Sequence, residues 1–218
     1  MIVQVPKIIF PESIQMGTCY SGASHVYVPI PKAGSSYSKK LFRNILEWPQ
    51  RNFLNNLHTP EFTNKKFIVM IRDPLERWLS GMAEYFDIMK DNSGIKLEDK
   101  DTKLIEVMME QMLVDDHTIP QYNFLEGLNT DNCVFFNIDK ENFQQNFDKW
   151  VETNLGVNRA PVPNDVNRYS TKENTYKHIV RNIFKSHIMD NTRFKNRFNM
   201  IYKNDYTLLN IESEQRNI

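Results

Sequence analysis

The chain has 218 residues, the length of one ordinary domain with a core of its own. Its 27 Lys+Arg balance 27 Asp+Glu, so the net charge is zero, which excludes a DNA-coating basic protein and an acidic disordered tail. Mean hydropathy is -0.55, and no apolar run approaches the roughly 18 residues of a membrane span. The segment Met1-Ile2-Val3-Gln4-Val5-Pro6-Lys7 lacks the basic-then-apolar layout of a signal peptide. Two cysteines, Cys19 and Cys133, stand far apart with no C-x-x-C. Two reduced thiols in a cytoplasmic protein are therefore expected, with neither a disulfide framework nor a Cys-rich zinc site.

In chain order, His25 to Ile30 reads as a short strand ending at proline. Ser36 to Leu46 reads as a helix with Tyr37, Leu41, Phe42, Ile45 and Leu46 on one face. Phe67 to Ile71 is a continuous apolar run, the pattern of a strand buried on both faces. Helical spacing follows from Leu75 to Met89 and again from Lys103 to Val114, with Asp91 to Asp101 as an exposed loop between them. Cys133 to Phe136 reads as a third strand and Phe143 to Leu155 as the helix after it. The remainder is helical from about Thr171 to His187 and from Arg193 to Asn204. Strands alternating with helices predict an α/β fold: a single three-layer domain spanning 1–218 around a central parallel sheet.

Charge is unevenly spread along this frame. Ten Lys/Arg between Arg159 and Lys203 meet three acids, while ten acids between Glu84 and Asp116 meet four lysines. The basic third is either the lining of an anion site or a solvated helix face.

Two segments carry chemistry. Val28-Pro29-Ile30-Pro31-Lys32-Ala33-Gly34-Ser35-Ser36-Tyr37-Ser38 runs from a strand through a loop into a helix. Such a loop aims backbone N–H groups, a helix dipole and one ammonium at a single point, which makes an anion cradle. It is not a Walker A loop, because Lys32 precedes Gly34 and no upstream Gly has the required spacing. The alternative is an ordinary turn eased by Gly34 and capped by Ser35 or Ser36. In the second segment, the strand Phe67–Ile71 delivers Arg72 to its C-terminal end, Pro74 opens a helix, and Ser80 follows on it. An Arg with a hydroxyl makes a phosphate clamp at the sheet edge where ligands of such folds sit. Alternatively, Arg72 forms a structural ion pair with Asp73 or Glu76.

Together, Pro31-Lys32-Ala33-Gly34-Ser35-Ser36 and Arg72-Asp73-Pro74-Leu75-Glu76-Arg77-Trp78-Leu79-Ser80 resemble the signature of sulfotransferases that use 3'-phosphoadenosine 5'-phosphosulfate (PAPS). The style is closest to the carbohydrate branch. Asp115-Asp116-His117-Thr118-Ile119-Pro120-Gln121, Val134 to Phe143, and Ile201 to Leu209 are similar to further stretches of that branch, in the same order. The resemblance implies a P-loop-like sulfotransferase fold in which Lys32, Ala33, Gly34, Ser35, Ser36 and Tyr37 bind the 5'-phosphosulfate. It implies that Arg72 and Ser80 bind the 3'-phosphate. Arg168-Tyr169-Ser170-Thr171-Lys172 is similar to the loop that closes over the nucleotide, which brings in Ser170 and Lys172. The 40 positions between Lys32 and Arg72 are fewer than in the carbohydrate branch.

The implied reaction moves the sulfuryl group from PAPS to a hydroxyl acceptor of the glycan class and leaves PAP. In-line transfer needs the leaving phosphate's charge to be offset, a task for Lys32 and the amides beside it. It also needs a base. His58, between the two cofactor segments, is the first candidate, followed by Glu61 and then His117. No metal is expected, since no H-E-x-x-H or similar spacing occurs. Neither nucleic acid nor membrane is an expected partner. Two other classes stay open: a P-loop-like kinase of nucleotides or small molecules, and a non-catalytic nucleotide- or nucleic-acid-binding module on the same fold.

Overall fold

A computed structural model describes residues 18–52, 60–157 and 175–215. Within them the chain is α/β, organised as two compact units. The first unit, residues 16–73, 121–170 and 205–218, holds the sheet, and the second, residues 1–15, 74–120 and 171–204, is helical where it is described.

The sheet has five strands: β1 (Thr18–Ser21), β2 (His25–Val28), β3 (Gln50–Asn52), β4 (Lys66–Ile71) and β5 (Cys133–Asn137), in the order β3-β1-β2-β4-β5. The three strands predicted from sequence are β2, β4 and β5, and they are consecutive neighbours. β2 pairs with β4 in parallel (Tyr27 opposite Ile68), and β4 pairs with β5 in parallel (Val69 opposite Phe135). The expected all-parallel sheet is corrected to a mixed one, because β1 lies antiparallel to β2 and β3 antiparallel to β1. The cause is the length of the link. Only Gly22-Ala23-Ser24 separate β1 from β2, and the Gly22 N–H donates to the His25 carbonyl at 2.9 Å. A parallel crossover needs a dozen residues or more, so this chain can only turn back on itself. β1 and β3 escape sequence detection because they are only four and three residues long and show no run of apolar residues to read.

One sheet face carries the core of this unit. Tyr27, Ile68, Met70 and Phe136 alternate onto it and meet Tyr37, Leu41, Phe42, Phe147 and Val151. The rings of Tyr27 and Phe42 stack at 4.4 Å, and Phe147 meets Phe136 edge-on at 5.0 Å. Val26, Val28, Val69 and Ile71 point the other way and are also buried, which is why β4 reads as an unbroken apolar run.

The helix predicted after β2 is α1 (Ser35–Lys39), continued by a π-helical segment, Lys40–Ile45. The wider turn brings Tyr37, Leu41 and Phe42 into the core but leaves Ile45 exposed, against the single stripe expected of a regular α-helix. Next come the short α2 (Pro60–Thr63) and, after β5, α5 (Phe143–Leu155), whose bounds match the sequence pattern. Gly156 ends α5 in the left-handed conformation (φ 65°). A final helix, α8 (Lys203–Gln215), reaches beyond the predicted end at Asn204. Its Gln215 side chain accepts from the Phe135 N–H (3.3 Å) and donates to the Cys133 carbonyl (2.9 Å). These bonds pair backbone groups along the outer side of β5, the kind of edge that native sheets cover.

The helical unit consists of α3 (Pro74–Ser93), α4 (Thr102–Gln111), α6 (Tyr176–Asp190) and α7 (Thr192–Ile201). Trp78 is fully buried against Phe184 and Phe198, and its indole N–H donates to the Met112 carbonyl at 2.7 Å. The buried Arg77 donates to the carbonyls of Ile119 (2.6 Å) and Asp116 (3.3 Å). Residues 112–119 are thus held against α3 by the Arg-Trp pair. Pro74 opens α3 as the sequence predicts.

Cys19 and Cys133 are free and buried, and burial pushes both thiols up to about 12. They are inert packing residues. No helix among the described residues is long and apolar enough to cross a membrane.

Gly81 fixes how closely α3 approaches residues 117–118. A Cβ there would stand 2.5 Å from the His117 carbonyl oxygen and 2.9 Å from its carbon, closer than any real contact. Gly81→Ala is therefore expected to destabilise the protein by about 1–3 kcal/mol, read as a lowered urea midpoint with an unchanged m-value.

Candidate functional site

The loop after β2 adopts an unusual backbone. Lys32 and Gly34 both lie in the left-handed region, at φ 63° and 72°. For lysine this conformation costs about 1 kcal/mol or more, and strain of this kind clusters where backbone N–H groups are turned toward a ligand. Gly34 is required twice over. Its φ disfavours a side chain, and a Cβ would press on Ile138 at 3.3 Å and Met70 at 3.4 Å. The loop is anchored from below by hydroxyls. The Gly34 carbonyl accepts from the Ser38 N–H (3.1 Å) and the Ser38 hydroxyl (2.9 Å), and Ser38 Oγ is hydrogen-bonded to the Tyr27 phenol. Both side chains are fully buried, and desolvation raises the Tyr27 pKa, so the phenol stays neutral.

The other residues predicted for this loop divide in role. Ala33 is buried, while Lys32 and Ser35 are half-buried. Tyr37 sends its ring into the core and its hydroxyl to Asp148 (3.0 Å), so it offers a ligand its backbone, not its ring. The Ser36 side chain lies outside the described residues.

Arg72 leaves β4 one residue past its end, at the same end of the sheet as the Lys32 loop, because β2 and β4 run in parallel. Its surroundings were not legible in the sequence. The Gln121 side chain brackets the Arg72 backbone: its Oε1 accepts from the Arg72 N–H (2.9 Å) and its Nε2 donates to the Arg72 carbonyl (2.8 Å). Behind it the fully buried Asp205 accepts from the backbone N–H groups of Gln121 (2.8 Å) and Tyr122 (2.9 Å). The guanidinium pairs with neither Asp73 nor Glu76. Its Nε donates to Asp139 Oδ1 at 3.0 Å, while Asp139 Oδ2 accepts from the Asp73 N–H at 2.8 Å. Asp139 stands two residues after β5, one position further along than Arg72 stands after β4. An acid close behind the strand that pairs with β4 is the signal that could have found it.

Ser80 belongs to the helical unit, half-buried on α3. Of the three base candidates, His58 lies outside the described residues, as do Ser170 and Lys172 of the predicted nucleotide loop. Glu61 is exposed on α2, with Arg51 Nε 3.5 Å away.

His117 is held in an acidic grip. Its Nδ1 lies 3.0 Å from Asp115 Oδ2 and 3.1 Å from Asp116 Oδ1. Burial alone would lower its pKa, but hydrogen bonds to Asp115 and Asp116 outweigh that and raise it to about 9. The imidazole is thus protonated at neutral pH, the wrong state for removing a proton. Asp115 also accepts from the His117 N–H (3.0 Å), and Thr118 Oγ1 accepts from the N–H groups of Val114 (2.8 Å) and Asp115 (3.0 Å). The cluster is a turn pinned by its own side chains. It is also the single group of three or more His, Cys, Asp and Glu with metal-ligand spacing among the described residues.

Four of the basic residues of this third, Lys177, Arg181, Lys185 and Arg193, form ion pairs. Arg181 pairs with Glu76 at 2.5 Å, Lys177 with Glu84 at 2.6 Å and Asp87 at 3.3 Å, and Arg193 with Glu110 at 2.5 Å. The acidic and basic stretches neutralise each other across α3, α4, α6 and α7 and present no anion site on α6. A cavity of about 500 Å³ lies between α4 and the start of α7, lined by Glu106, Glu110, Gln111, Arg193 and Phe194. None of these residues carries the chemistry predicted from sequence.

No known protein family, curated protein or solved structure matches the chain.

The His117 grip makes stability depend on pH. A folded-state pKa of about 9, above the ordinary 6.5, gives a contribution fully present below pH 6.5 and lost as pH rises through about 9. Asp116, held below its usual value chiefly by the His117 hydrogen bond, gives a contribution that is lost on acidification below about pH 4. Between pH 6.5 and 9.5 the unfolding free energy should fall by about 2 kcal/mol, and His117→Asn should flatten that slope in urea titrations.

Proposed function

We propose that the chain is a PAPS-dependent sulfotransferase with a P-loop-like, three-layer architecture, acting on a hydroxyl acceptor of the glycan class. The observation that carries this reading is one juxtaposition. A strained, hydroxyl-anchored loop bearing Lys32 follows β2, and Arg72 follows the adjacent parallel strand β4. The order of residues, Lys before Gly and then two serines, separates this loop from the phosphate loop of kinases. Asp139, which a kinase reading would need for a metal, uses both oxygens on Arg72 and Asp73.

The local structure fits the cofactor in two respects. Two left-handed residues and an ammonium suit a 5'-phosphosulfate, and a guanidinium whose backbone is clamped on both sides suits a 3'-phosphate. PAPS supplies an activated sulfuryl group. The acceptor oxygen forms a bond to sulfur as the bond from sulfur to the phosphate oxygen breaks. Lys32 and the amides of Gly34, Ser35 and Ser36 offset the charge that gathers on the leaving phosphate. Arg72 holds the 3'-phosphate. His58 takes the acceptor's proton, since His117 is already protonated at neutral pH and Glu61 lies beside Arg51.

The direct test is incubation with sulfur-labelled PAPS and a panel of glycans, lipids and tyrosine peptides, alongside thermal-shift assays with PAP and with ATP–magnesium. PAP should stabilise the protein where ATP–magnesium does not, and label should pass to a glycan. Stabilisation by ATP–magnesium alone would sink the proposal in favour of a kinase.

Two substitutions sharpen the assignment. Arg72→Ala should weaken PAP by about tenfold or more and leave adenosine 5'-phosphosulfate, which lacks the 3'-phosphate, nearly unaffected. His58→Ala should cut turnover by about 10²–10⁴-fold with PAP affinity unchanged. Retention of activity in His58→Ala with its loss in Glu61→Gln would move the base to Glu61.

A further inference from the structure

Asp139 occupies a position that the proposed reaction does not use. It comes two residues after β5, in a turn that its own N–H closes onto Asn137 Oδ1 at 3.0 Å. The N–H of Ile138 continues the parallel ladder to the Ile71 carbonyl at 3.0 Å, so the turn is in register with the end of β4. Its carboxylate then spans two donors there, Arg72 Nε at 3.0 Å and the Asp73 N–H at 2.8 Å. The pair is mostly shielded, with Arg72 and Asp139 side chains 22% and 31% exposed, so the bond is not a freely solvated surface contact.

A guanidinium is a rigid plane with five N–H donors. A carboxylate taken at Nε fixes the rotation of that plane and leaves the edge formed by the two Nη groups for a second anion. The Arg72 side chain makes no other hydrogen bond or ion pair to a described residue. The Gln121 amide fixes the backbone at the same position, so main chain and side chain are each held from a different element.

We propose that Asp139 is a positioning residue: it orients the Arg72 guanidinium so that its Nη edge is presented to the phosphate oxygens of a 3'-phosphorylated nucleotide. This rests on the PAPS reading. Preorganisation of this kind raises affinity by removing the rotamer freedom that would otherwise be lost on binding.

The test measures calorimetric affinity for PAP and for adenosine 5'-phosphosulfate in the full chain, with NMR of the arginine Nε–H signals. Asp139→Ala should weaken PAP by about tenfold, leave adenosine 5'-phosphosulfate unchanged, and abolish the slowly exchanging Arg72 Nε–H signal. Asp139→Asn keeps the volume and guards against a folding defect. It should show the same selective loss to a smaller degree. Equal weakening of both ligands in Asp139→Asn, or unchanged PAP affinity in Asp139→Ala, would overturn the positioning role while leaving the cofactor reading intact. Failure of the unaltered protein to bind PAP, with the Arg72 signal still dependent on Asp139, would instead overturn the cofactor reading and the positioning role built on it.

Discussion

Parallel pairing of β2, β4 and β5 is the constraint on which the candidate site depends. Because these neighbours run the same way, the segments that follow them leave from one end of the sheet. Residues 29–34, 72–73 and 138–142 are thereby brought to a common edge, although they are far apart in the chain. Reversing any one strand would send its loop to the opposite end. The pairing is enforced by burial. β4 is apolar at every position from Phe67 to Ile71 and is buried throughout, so it has to lie inside the sheet with a neighbour on each side.

A second physical theme is the satisfaction of polar groups at that edge. Backbone N–H and C=O groups that leave a ladder lose their partners, and burying them unpaired costs more than a hydrogen bond gains. The protein replaces the missing ladder with side chains. Gln121 pairs both backbone groups of Arg72, Asp205 pairs the N–H groups of Gln121 and Tyr122, and Ser38 pairs the Gly34 carbonyl. Each such bond also fixes a loop in space. The left-handed backbone of Lys32 persists because the residues around it are locked in this way.

The helical unit solves a different problem. Its α3 carries Glu76, Glu84 and Asp87, and its α6 carries Lys177, Arg181 and Lys185, in spacings that bring opposite charges together. The uneven charge along the chain therefore cancels within this unit, and Arg77 and Trp78 serve as buried anchors for residues 112–119. His117 belongs to that anchored turn, which accounts for its acidic surroundings better than proton transfer does.

The sequence by itself determined the alternation of strands and helices, the three parallel strands and the helices that start at Pro74 and Phe143, because these rest on local apolar periodicity and on residues that cap or open a helix. It also determined the two segments that carry Lys32 and Arg72, because their residue types and order hold regardless of what packs on them. Only the tertiary structure decided the antiparallel edge of β1 and β3, whose short stretches show no period to read, and the π-turn that rotates Ile45 outward. It alone decided the partner of Arg72 as well. Local order offered Asp73 and Glu76, one and four residues away, but the guanidinium bonds to Asp139, 67 residues on. Sequence separation carries no information about which strand ends meet, and that choice is made by the register between β4 and β5.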